Sequence, residues 1–243
     1  LVMTDFATTE DLFFNRTGLN QKKVENLVEG ALKDADDGEL FLEHRQSESL
    51  VLDDGRVKSA AFDTTQGFGL RAVAGEATGY AHASELTEAA LLRAAEAVRA
   101  VSRGYNGEAA KSPILTNAEL YSKTNPLGEV SFDHKLDLLA EMDSYARGKD
   151  ERVKQVTATL SGEWQAVQIV RAGGSKAADI RPLVRLGVSV MVEKNGRMEI
   201  GSDGTGGRTL YDHYLNPLTW QSSVDEALRQ ALVNLESIPA PAG

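Results

Sequence analysis

The sequence predicts an α+β fold: two repeated units of mainly antiparallel strands flanked by helices. Three observations carry that prediction. Segments that alternate apolar and polar residues are joined by tight turns such as Asp53-Asp54-Gly55 and Asn195-Gly196, which link neighbouring antiparallel strands. One-sided helical patterns stand before and after each run of strands. The order helix, strands, helix then occurs a second time, the mark of an internal duplication.

The first helix is expected over Asn20 to Asp36, where Val24, Leu27, Val28, Ala31 and Leu32 recur on one face and Asp36-Asp37-Gly38 ends the run. Strand segments follow at Glu39–His44 and Ser49–Leu52, answered by Arg56–Phe62 across the Asp54-Gly55 turn. Gly67–Val73 and Ala77–Ala83 pair around Ala74-Gly75-Glu76. Ser84 is expected to open the next helix, with Leu91, Ala94, Ala95, Val98 and Val101 on one face.

The second unit starts with a helix over Asp133 to Arg147. Lys154–Ser161 alternates as a strand, and Gln165–Arg171 ends at Ala172-Gly173-Gly174. Val184, Leu186, Val188, Val190 and Val192 alternate up to Asn195-Gly196, and Arg197–Gly201 returns. Ser223 with Glu226 reads as the capping box of a last helix carrying Val224, Leu228, Ala231, Leu232 and Leu235. Laying Gly69 on Gly187 brings Leu70 onto Val188 and Ala72 onto Val190. The expected organisation is an N-terminal extension (1–19), a first repeat (20–103), a connecting segment (104–132) containing Pro113 and Pro126, a second repeat (133–237), and the start of a linker (238–243) in Pro-x-Pro form.

Composition limits function. Lys plus Arg number 26 against 36 Asp plus Glu, so the net charge of -10 repels phosphate backbones, and direct nucleic-acid binding is not expected. There is no cysteine. That removes disulfides, thiolate nucleophiles and Cys-type zinc sites, and it fits a reducing cytoplasm. No apolar run approaches the roughly 20 residues of a membrane span, so no membrane partner is expected. Leu1–Asn20 lacks the basic-then-apolar pattern of a signal peptide.

The chain offers no self-contained catalytic motif. A zincin helix needs two His one turn apart with a Glu beside the first. Four residues after His44, His82, His134 and His213 stand Glu48, Leu86, Leu138 and Pro217, and none of the four is followed by Glu. Gly67-Phe68-Gly69-Leu70-Arg71-Ala72 has dinucleotide-fingerprint spacing, but strand-like alternation follows it where a helix is needed to meet the pyrophosphate. Asp53-Asp54 reads as a pair of solvated turn carboxylates. The most unusual stretch is Gly201-Ser202-Asp203-Gly204-Thr205-Gly206-Gly207-Arg208. It is either a mobile connector or a loop whose glycines let a phosphate or a peptide backbone come close.

Ser49-Leu50-Val51-Leu52-Asp53-Asp54-Gly55-Arg56-Val57, Gln66–Val73, Gly75–Ala81, Val156–Gly162, Asp179-Ile180-Arg181-Pro182-Leu183-Val184-Arg185-Leu186 and Ala231–Leu235 together resemble the N-terminal part of the TldD side of the TldD/PmbA family. The resemblance runs over essentially the whole chain. It implies a zinc metallopeptidase, also known as a modulator of DNA gyrase, that cleaves unfolded peptides with a PmbA-type (TldE) partner subunit. The family's His-Glu-x-x-x-His motif is expected beyond a segment like Pro239–Gly243, so this chain is assigned no catalytic residue and no metal ligand, and is expected to be inactive alone. Gly201, Gly204, Gly206 and Gly207 are the candidate substrate-binding positions, bordering a groove for an extended peptide. Trp164, Phe68, Tyr211, Tyr214 and Trp220 lie outside the clearest helical stripes, as interface anchors or as core. The alternative function is a non-catalytic binding module acting on DNA gyrase or on a toxin–antitoxin target.

Overall fold

Residues 5–107, 121–241 and 243 are described by a computed structural model; residues 108–120 of the expected connecting segment, with Pro113, lie outside them. Six strands form one antiparallel sheet: β1 (Asp37–Asp53), β2 (Arg56–Ala74), β3 (Ala77–Ala83), β4 (Val153–Arg171), β5 (Lys176–Lys194) and β6 (Arg197–Gly207), in the order β3-β2-β1-β4-β5-β6. Asp54 N–H donates to Val156 O and Ala172 N–H to Gly38 O, which fixes β1 against β4. The hairpin turns fall where the sequence puts them. Asp54 and Gly55 have φ of 52° and 72°, and Asn195 and Gly196 have 55° and 81°, the left-handed pairs of a type I′ turn.

The strands are longer than the sequence predicts. Glu39–His44 and Ser49–Leu52 are one strand, as are Arg56–Phe62 with Gly67–Val73 and Lys154–Ser161 with Gln165–Arg171. The polar residues between them continue the pleat, and one of them, Glu48, pairs with Lys135 outside the sheet. The sharpest correction is Gly201–Gly207, which is no connector: β6 runs through it to Gly207.

The helices are α1 (Asp5–Glu10, prolonged by a π-helical turn at Asp11–Asn15), α2 (Gln21–Leu32), α3 (Glu88–Arg99), α4 (Phe132–Lys149), α5 (Asp212–Leu215) and α6 (Pro217–Leu235). The expected N-terminal extension is thus partly helical, with Leu12, Phe13 and Phe14 buried. Asn20 caps α2 by accepting from Lys23 N–H at 3.0 Å. Thr87, not Ser84, caps α3. Asn216 and the first-turn Pro217 start α6 well before the predicted Ser223–Glu226 box. Ser223 is buried inside the helix, and Glu226 spends its carboxylate on Arg229 and Gln230.

Contacts divide the chain into two compact units. The first holds the described residues of 1–46, 64–119 and 165–180; the second holds those of 47–63, 120–164 and 181–243. In the first, α2 and α3 pack together and bury Val24, Val28, Ala31, Leu91, Ala94 and Val98, with Leu40, Leu42, Leu70 and Ala72 from the strands. In the second, α4 and α6 bury Leu138, Leu139, Met142, Val224, Ala227 and Ala231 with the alternating valines of β5. Even-numbered β5 residues from Val184 to Val192 are buried, and their odd neighbours face the open side of the sheet.

Candidate functional site

β6 is the last strand of the sheet, so one of its edges has no strand beside it. It pairs with β5 in an unbroken register, Val184 with Gly207, Gly187 with Gly204 and Val190 with Gly201. The four candidate glycines therefore split between two faces. Gly201 and Gly207 face the helices. A Cβ on Gly201 would lie 2.0 Å from Ala227 O, and one on Gly207 would lie 3.3 Å from Tyr214 Oη. Helix packing alone accounts for both. Gly204 and Gly206 face the open side, where a Cβ would meet Leu186 O at 3.1 Å and Val184 O at 2.7 Å.

The edge itself is partly closed. Gln230 Oε1 accepts from Ser202 N–H at 3.4 Å, and Asn234 Nδ2 donates to Ile200 O at 3.3 Å. In an antiparallel strand the groups pointing away from the partner belong to every second residue. Since those of Ile200 and Ser202 point outward, those of Gly204 and Gly206 do as well. The side-chain caps from α6 stop at Ser202 among the described residues. Beyond them lies a short run of backbone donors and acceptors without side chains to shield them, which is the arrangement that accepts an added strand.

Elsewhere in the second unit is a cluster that sequence reasoning missed. Lys135 of α4, whose side chain is only 2% exposed, donates from Nζ to Glu48 Oε1 of β1 and to Leu127 O at 2.9 Å. Tyr211 donates its hydroxyl to the same Glu48 oxygen at 2.6 Å, and Lys135 Nζ lies 4.5 Å from the Tyr211 ring centre. Burial first, and then the Glu48 carboxylate, push the Tyr211 hydroxyl well above its ordinary pKa. Gly162 makes room for it: a Cβ there would sit 2.0 Å from Tyr211 Oη. With these partners satisfied, the cluster fastens β1, α4 and the segment after β6. One signal was available. Lys135 stands at the helical spacing of Leu138, Leu139 and Met142, a cation in an apolar stripe.

Asp53 and Asp54 are turn residues, as predicted, but neither is idle. Asp53 accepts from Gln155 Nε2 and Thr157 Oγ1, each at 2.8 Å, and from Lys58 Nζ at 3.1 Å. Those bonds hold its carboxyl at about 2. Asp54 pairs with Arg147, which also binds Asp143. The four histidines lie on four different elements, in β1, β3, α4 and α5. Among the described residues no three His, Asp or Glu side chains converge to hold a metal ion. The donor set present does not fit one. Gly67–Ala72 lies in β2 and leads into β3, so no helix N-terminus meets it. Four of the proposed interface aromatics are core: Phe68, Tyr211, Tyr214 and Trp220 are buried. Trp164 is half-buried and donates to Lys123 O at 3.2 Å. No helix among the described residues is long and apolar enough to cross a membrane.

Comparison with known proteins bears on this geometry. Residues 38–102 match the family model described as PmbA/TldA metallopeptidase domain 1, and residues 125–235 match that of the central domain. A metalloprotease TldD homolog from Haemophilus influenzae is 41% identical over 219 residues, which is 87% of this chain and 45% of that protein. The chain spans about half the length of the curated relatives it matches. Among solved structures, a protein described as a candidate modulator of a DNA gyrase from Thermotoga maritima shares the fold with a TM-score of 0.71 at 18% identity, covering 92% of this chain and 50% of that one. TldE from Thermococcus kodakarensis shares it with a TM-score of 0.64 at 15% identity, covering 86% and 47%.

Proposed function

The chain belongs to the TldD/PmbA metallopeptidase family, and from that premise we propose that it is the part of a TldD-type peptidase that holds an unfolded peptide in extended form. The observation that carries the reading is the uncapped end of β6, where the outward backbone groups of Gly204 and Gly206 stand free of side chains. An enzyme that takes varied unfolded sequences needs recognition that ignores side chains. Hydrogen bonding to a strand edge supplies it. The relatives' name implies a metal. Because the described residues do not fit one, the zinc expected from the resemblance is assigned to the rest of the full-length protein, and no bond-breaking step is routed through this chain. A PmbA/TldE-type subunit is the proposed partner, supported by the shared fold of TldE. Light scattering of the full-length protein with and without such a subunit tests the pairing; a monomer in both cases overturns it.

The edge is tested by Gly204→Pro in the full-length protein. Proline removes the outward N–H without removing a bond to β5. KM for an unstructured peptide should rise about fivefold or more, the worth of a lost hydrogen bond, while the melting temperature stays near that of the parent. Unchanged cleavage would overturn the assignment.

A further inference from the structure

On the open side of the sheet in the first unit, a groove of about 320 Å³ lies between β1 and β3, with β2 as its floor. Its floor is Gly67 and Gly69. Phe41 and Glu43 stand on one side, Tyr80 and His82 on the other. Strands two apart in a sheet are separated by about 10 Å. Tyr80 lies over Gly69, with its Oη 2.6 Å and its Cε2 3.0 Å from where a Cβ would sit, so its ring forms one bank of the groove and Phe41 and Glu43 the other. His82 sits directly across from Gly69 in the β2–β3 register. Its ring stacks on Tyr80 at 5.6 Å between centres and 27° between planes. Tyr80 is 64% exposed, an unusual position for a large ring on a strand.

The charges at the groove are unevenly paired. Beside the groove, Arg71 binds Glu39 through two bonds of 2.7 and 2.8 Å and Asp37 through one of 3.0 Å, and Arg171 binds Asp37 at 2.6 Å. That ladder neutralises itself. Glu43 does not: half-buried, it has no hydrogen bond or ion pair among the described residues. A partly desolvated carboxylate without a partner, in a groove that Phe41, Tyr80 and His82 also line, favours a cation.

We propose that this groove binds a cationic side chain, the guanidinium of an arginine in a polypeptide segment. A guanidinium is planar, stacks on aromatic rings and offers the donors that Glu43 lacks; a lysine ammonium offers the charge without the plane. The acidic chain, at -10, adds long-range attraction for such a segment. The inference stands apart from the peptidase reading, since its readout is binding and not cleavage.

The test is an NMR titration of the purified full chain with N-acetyl-arginine amide and with its neutral isostere, N-acetyl-citrulline amide. The arginine probe should shift the amides around Glu43, Gly67, Gly69 and His82 saturably, and bind about tenfold tighter than citrulline. Glu43→Gln should abolish the difference between the two probes. Tyr80→Ala, at an exposed ring, should weaken the arginine probe and serves if Glu43→Gln disturbs the fold. Equal binding of the two probes, shifts centred elsewhere, or no saturable shift at tens of millimolar would each overturn the proposal.

Discussion

Gly69 in β2 and Gly204 in β6 both lie on the open side of the sheet beside a neighbouring strand, yet the fold treats them in opposite ways. Over Gly69 the chain lays its own Tyr80, whose hydroxyl would be 2.6 Å from an added Cβ. Over Gly204 no aromatic ring lies. The nearest atoms to an added Cβ are Leu186 O, Gly187 Cα and Arg185 Nη2, the last at 3.8 Å. A glycine in a strand weakens it unless something comes close enough to need the room. At Gly69 that close approach is a side chain of the same unit, which leaves a shaped groove. At Gly204 the room is left for something the strand itself does not supply. Gly201, three residues before it, shows the third outcome, a helix backbone in the vacant space.

The largest test of this sorting lies where a glycine serves the buried ion pair. Gly162→Ala would drive Tyr211 away from Glu48, and Lys135→Met would strand the carboxylate. Lys135→Met should cost about 3–5 kcal/mol, the loss on breaking a buried pair from one side, read by urea denaturation. The double variant Lys135→Met/Glu48→Leu should recover much of it. If the single variant is as stable as the parent, the cluster is not a lock.

Next in size is the contrast within β6. Gly201→Ala forces backbone of α6 to move and should cost about 2 kcal/mol, in the range of overpacking. Gly204→Ala should cost less than about 1 kcal/mol, the ordinary scale of a surface change. Equal losses in thermal denaturation would erase the distinction between the two faces.

A smaller gain is expected in the first unit. Gln168 is fully buried in β4, and neither polar atom of its side chain has a partner among the described residues. Gln168→Met should stabilise the protein by about 1 kcal/mol, by removing an amide that is desolvated without compensation. A loss of stability would show that the amide is satisfied.

The smallest effect concerns pH. Asp53 is held at about 2, below its ordinary value, by Gln155, Thr157 and Lys58. Its contribution is therefore present above the unfolded carboxyl pKa and fades as pH falls from about 4 toward 2. The difference in melting temperature between the parent and Asp53→Asn should shrink through that window. A difference that stays constant from pH 5 to about 2 would contradict the network.

Much of this architecture was legible in the residues, and the illegible parts share a cause. Asp54-Gly55 and Asn195-Gly196 announced their hairpins, because a type I′ turn needs positive φ at both places. The valines of β5 announced their burial by period. On sequence alone each long strand breaks where polar residues interrupt the alternation, as around Glu48. That residue is polar because it answers a lysine in α4, and such a partner 87 residues away leaves no local trace. Gly201–Gly207 hid a strand for a related reason, since its composition reflects the closeness of α6 and an open face. At α6 two start signals competed, and Asn216-Pro217 won over Ser223–Glu226, because Ser223 and Val224 are needed in the core. The candidate site was legible only as a run of glycines. Which of them face outward is decided by the register with β5, beyond what the run itself contains.

The seam between β1 and β4 has a consequence for how the chain reaches this state. Its two ends are tied by side chains far apart in sequence, Arg171 to Asp37 across 134 positions and Thr157 to Asp53 across 104. The hairpins on either side are local by comparison. Entropy of loop closure sets the order in which such contacts form. The hairpins are therefore expected to close early and the middle of the sheet last, with refolding on the milliseconds-to-seconds scale of non-local β topologies. During that interval two half-sheets expose the inner edges of β1 and β4. Until the seam closes, those two edges are open to pairing with another chain.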